Sequence, residues 1–94
     1  MVDIITANEE LNTWCGTEGI NYYEGIDALG NLFKYAVPKV EAFTLVKQVG
    51  EAEYKSSALL QGKSSRIVYD KDSALALFWA CYSVITGKEV KDGK

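Results

Sequence analysis

Twelve consecutive positions, Ala74 to Ile85, carry apolar or aromatic side chains with Ser83 as the one interruption. Asp70 or Asp72 is placed to cap a helix start, and Gly87 to close a helix in the left-handed conformation, so a helix is predicted up to about Thr86. Ala74, Leu75, Leu77, Phe78, Trp79, Ala80, Cys81, Tyr82, Val84 and Ile85 leave it almost no polar side. Such a helix must be covered around most of its circumference. At about 18 Å it is too short for the ~30 Å hydrocarbon core of a bilayer, so the cover has to be protein. Two arrangements supply it: a place between a sheet and another helix, or half of a subunit interface.

The rest of the chain is what must provide that cover. With 94 residues, 48% hydrophobic and 24% charged, the composition is that of a globular protein. It predicts a single domain, 1–94, with a core from about 3 to 87 and a polar tail, 88–94. Ile4, Ala7, Leu11, Trp14 and Cys15 recur at helical spacing, which predicts a helix over Asp3–Cys15 closed by Gly16. Thr6 with Glu9 has the spacing of a capping box and would start it three residues later. After a loop, Thr17–Asn21, a second cap pair, Asn21 and Glu24, opens a helix whose stripe is Tyr22, Ile26, Leu29, Phe33 and Ala36. Gly25 and Gly30 weaken it, and Pro38 ends it by turning Val37 extended. Strands are expected at Ala42–Val49, Tyr54–Gln61 and Arg66–Tyr69, joined by the short links Gly50-Glu51 and Gly62-Lys63. On the first, Phe43, Leu45, Lys47 and Val49 share a face; on the second, Tyr54, Ser56, Ala58 and Leu60 do. The fold class that follows is α+β, in the order α-α-β-β-β-α, with a three-stranded antiparallel sheet packed by helices.

Chemistry is constrained mainly by what is missing. There is no histidine, which removes Ser-His-Asp and Cys-His catalysis and the commonest zinc ligand. Two cysteines cannot make a four-sulfur site, and no calcium-loop spacing occurs. Cys81 lies on the most apolar helix, and Cys15 lies at a helix C-terminus, where the dipole disfavours a thiolate. The glycines at 16 and 19, or 25 and 30, match neither phosphate-binding fingerprint. Glu24 with Asp27, and Glu51 with Glu53, read as solvated carboxylates. The expectation is a non-enzymatic protein with no cofactor and no metal.

Net charge is −3. It divides into −4 for residues 1–50 and +1 for residues 51–94. A nucleic-acid binder needs a concentrated basic face. Lys55, Lys63, Arg66 and Lys71 are the residues from which a weak patch would be built, and nucleic acid is the less favoured partner. The opening Met1-Val2-Asp3-Ile4 has neither the positive stretch nor the apolar run of a secretory signal, so a cytoplasmic location is expected, with no membrane association. Trp14, Tyr22 and Tyr23 are the candidate interface aromatics, for a protein partner or a homodimer. Adjacent Tyr22 and Tyr23 cannot point the same way, so one belongs to the core and the other to its rim.

From Tyr22 to Thr86 the order helix, three strands, helix resembles double-stranded RNA-binding domains. Those domains set lysines at the start of their last helix against phosphates; the matching stretch here is Asp70-Lys71-Asp72-Ser73-Ala74, with two acids. A second resemblance covers about residues 3 to 87. Trp14 with Gly16, then Tyr22 or Tyr23, Ile26 and Ala28, then Ala74, Leu75, Leu77 and Ala80, resemble small phage and prophage proteins of the phage ABA-sandwich family. That resemblance implies an accessory protein acting through protein contacts and assigns no residue a role.

Overall fold

The computed structural model describes residues 2–88. The predicted tail, Glu89 to Lys94, lies outside them. The first helix, α1 (Ile4–Cys15), is capped by Asp3, whose carboxylate accepts from the Thr6 N–H at 2.9 Å and from the Thr6 hydroxyl at 3.0 Å. Thr6 is therefore the residue being capped, and the helix begins earlier than a Thr6–Glu9 box requires. Gly16 closes it at φ 72°. The Thr17 N–H reaches back to the Asn12 carbonyl at 2.9 Å, so the last turn ends with its carbonyls satisfied. Ala7, Leu11 and Cys15 form the buried stripe, flanked by half-buried Ile4 and Trp14.

The second helix differs from expectation. Asn21 does accept from the Tyr23 and Glu24 N–H groups, at 3.0 and 2.9 Å, but this closes a local turn and no helix follows. Gly25 adopts φ 91°, a left-handed conformation that breaks the helical path. Ile26 is consequently 97% exposed and not part of any stripe. Helix α2 (Ala28–Asn31) starts beyond it and runs into a wide π turn, Leu32–Ala36. Its buried face is Ala28, Leu32 and Ala36, with Phe33 left outside. Pro38 does not stop the helix at Val37, which keeps φ −56° and ψ −42°. The proline occupies the start of a 3-10 turn, Val37–Lys39, where its missing N–H is not needed, and the chain becomes extended at Val40.

The sheet is antiparallel. Strand β1 (Ala42–Val46) pairs with β2 (Tyr54–Leu60), and β2 pairs along its other side with two short segments, β3 (Lys63–Ser64) and β4 (Val68–Asp70). The expected third strand is thus broken, and Arg66 and Ile67 fall in the break. Leu59 faces Ser64 and Ser56 faces Val68, so three residues, 65–67, stand opposite Ser57 and Ala58. That is a one-residue bulge. Ser65 bridges it: its N–H donates to the Ala58 carbonyl at 2.8 Å, and its hydroxyl accepts from the Ala58 N–H at 2.9 Å. The Gln61-Gly62 turn between β2 and β3 has positive φ at both central residues, 52° and 75°, the geometry that suits a two-residue hairpin. The Glu41 carboxylate accepts from the Gln61 N–H and holds this turn against the start of β1.

The last helix, α3 (Ser73–Thr86), is capped by Asp72, which accepts from the Ala74 and Leu75 N–H groups, and is closed by Gly87 at φ 74°. It packs against β1, β2 and β4 on one side and against α1, α2 and the π turn on another. None of residues 73–86 is exposed. The apolar circumference is thereby covered within one chain, as the first of the two expected arrangements requires. Phe78 stacks on Tyr82 at 6.3 Å, and Tyr23 and Trp79 meet Phe78 edge-on.

Two substitutions test the local arguments. Asn12 is buried, and its side chain makes four hydrogen bonds to the Asn8 and Ile20 carbonyls, the Ile20 N–H and the Thr17 hydroxyl. Asn12→Ala strands those groups and should lower unfolding free energy by ~2–3 kcal/mol in urea titrations. Gln61→Asn puts a residue that tolerates the left-handed region into the hairpin turn and should raise stability by up to ~1 kcal/mol in the same assay.

Candidate interaction surface

All three helices lie toward one face of the sheet. Phe43 and Leu45 on β1, Ser56 and Ala58 on β2, and Val68 on β4 point to that face, and Ser56, Ala58 and Val68 are fully buried. The alternate residues point the other way. Ala42, Thr44 and Val46 are exposed, and Lys55, Ser57, Leu59 and Tyr69 beside them are half-buried. Thr44 and Ser57 share a hydroxyl hydrogen bond of 2.9 Å across the strands. A shallow hollow of about 120 Å³ lies over this face, lined among others by Ala42, Thr44, Ser57 and Ser64. Its small and hydroxyl-bearing side chains offer a flat surface without charge at its centre.

The edge of β1 belongs to the same surface. Ala58 exchanges its main-chain groups with Ser65, so Ser57 and Leu59 turn theirs toward β1. Their partners there are Thr44 and Ala42, and the Thr44 carbonyl also accepts from the Ser56 hydroxyl at 2.7 Å. By the alternation of an antiparallel ladder, Phe43 and Leu45 direct their N–H and C=O groups outward. Among the described residues, no strand pairs with that edge.

The aromatic residues expected at an interface are mostly used inside. Tyr22 is fully buried, hydrogen-bonded to the Thr17 hydroxyl at 2.7 Å and edge-on to Tyr35; it presents no surface to a partner, because the asparagine-pinned loop folds it into the core. Tyr23 is half-buried against Phe78 and forms the rim. Trp14 packs against the core from the side, with Lys39 Nζ 5.9 Å from its ring.

The four bases of the candidate patch do not come together. Lys63 and Arg66 line a hollow of about 310 Å³ with Ser83 and Lys88. Lys55 faces Tyr69 at the far end of β2 and is paired with Glu51 at 3.4 Å. From position 55 to 60, the partner of Lys63, the strand rises about 17 Å. Lys71 is further still, beyond the end of β4. The two acids at the start of α3 are committed to the backbone: Asp72 caps the helix, and Asp70 accepts from the Asp72 N–H at 2.8 Å. Glu24 and Asp27 sit in the loop before α2, so no helix turn sets them face to face.

Asn8 and Asn12 are the residues that sequence reasoning overlooked. One helical turn apart on α1, they pin the loop by bonds to Ile20 and to the Tyr22 N–H. A hollow of about 420 Å³ opens beside them, lined by Glu9, Thr13, Glu18 and Asn21 among others. Their four-residue spacing was the available signal. Among the described residues, no cluster of acidic or thiol side chains could hold a metal ion, and no helix is long and apolar enough to cross a membrane. No family model, curated protein or solved structure matches the chain.

Cys15 and Cys81 are both buried free thiols. Burial raises the Cys15 thiol and pushes Cys81 up to about 12, and it pushes the Tyr22 hydroxyl up to about 12 as well. Tyr82 is also raised, by burial and by its hydrogen bond to Glu10, which in turn binds Lys88. In the unfolded chain such groups release protons near 9.0 for cysteine and 10.0 for tyrosine. Across that window the unfolded state holds fewer protons, so folding stability, complete below about pH 9, should fall as pH climbs toward 12. Urea midpoints that stay level from about pH 8 to about pH 11 would contradict this, as would rapid native-state labelling of either thiol.

Proposed function

We propose that this chain is a non-enzymatic accessory protein, of the phage or prophage type suggested by its sequence resemblance, which acts through protein contacts made by the open side of its sheet. The observation that carries this reading is the one-sided cover: among the described residues, α1, α2 and the π turn pack against α3, α3 packs on the inner face, and the outer face of β1 and β2 is left open. Antiparallel sheets tolerate such a face in water. Val46, 47% exposed at its border, supplies an apolar contact point.

A second reading, weak nucleic-acid binding with a topology similar to double-stranded RNA-binding domains, is favoured by one feature. Lys63, Arg66 and Lys88 share a hollow with three serines. Against it, Lys88 is bound to Glu10 at 3.1 Å, and Lys55 and Lys71 lie elsewhere.

A photo-reactive side chain at Ser57, on the outer face, should yield discrete protein adducts in cell extract, whereas one at Ile26 on the opposite loop should not. Adducts that disappear on nuclease treatment, together with duplex or single-strand binding that weakens steeply with salt, would favour the second reading instead.

A further inference from the structure

We draw no further inference here: the strongest candidate, the hollow of about 310 Å³ that Lys63, Arg66 and Lys88 line between the Ser65 bulge and the close of α3, belongs to the nucleic-acid reading already given, with Lys88 held by Glu10 at 3.1 Å and no second observation among the described residues that points to a ligand there.

Discussion

The rest of the architecture depends on the need to dry α3 on nearly every side. A helix whose side chains are Ala, Leu, Phe, Trp, Cys and Tyr around its whole circumference gains free energy only where another element covers it. One sheet face can cover one side. The opposite side needs further elements, and in a short chain α1, α2 and the π turn are what remain. Once they are committed there, no helix among the described residues is left for the outer face of the sheet. The bare face is therefore a consequence of the most apolar segment in the sequence and not an independent feature. Its composition agrees with that: Thr44, Ser57 and Ser64 face water where β-branched apolar residues would stand in a sheet covered on both sides.

Polar groups do the complementary work of holding the irregular stretch between α1 and α2. That stretch has no ladder of its own, so its main-chain groups need partners from elsewhere. Asn8 and Asn12 supply them, bonding to both the N–H and C=O of Ile20 and to the Tyr22 N–H. With the loop fixed, Tyr22 enters the core and its hydroxyl closes on Thr17. Between those two asparagines in sequence, Glu10 receives the Tyr82 hydroxyl and Lys88 Nζ, tying the close of α3 to the first helix. Interior polarity here holds the loop and the helix ends in place, while burial is what raises the Cys15 and Cys81 thiols and the Tyr22 hydroxyl.

Much of this was legible in the sequence because it rests on short-range rules. A cap at Asp70 or Asp72, the left-handed closures at Gly16 and Gly87, the stripe Ala7-Leu11-Cys15 and the alternation Ser56-Ala58 all follow from periodicity and local chemistry. The failures have a common cause. Gly25 reads the same in a weak helix as in a left-handed turn, and only the helical alternative puts Ile26 on the stripe. Pro38 has the pattern of a stop, although it can equally open a new turn. The bulge at Ser65 depends on a side-chain hydroxyl replacing a main-chain rung, which no hydropathy pattern records. Lys55, Lys63, Arg66 and Lys71 look close in sequence, yet a hairpin and a bulge send them to different ends of the sheet. The asparagine pair was visible, but an Asn on a helix more often faces water, and only the path of the loop gives it a task.

The open edge also shows which terms would set the strength of any contact there. The outward groups of Phe43 and Leu45 are hydrated in the free chain, so pairing them exchanges water bonds for protein bonds at a net gain of only ~0.5–1.5 kcal/mol each. A few such bonds do not offset the loss of translational and rotational freedom on association. The balance must come from side chains beside the strand: the exposed part of Phe33 and the Val46 border. Main-chain pairing is indifferent to sequence and would accept many strands in several registers. Selectivity therefore rests with those flanking residues, because the main chain of a neutral strand cannot tell one partner or register from another.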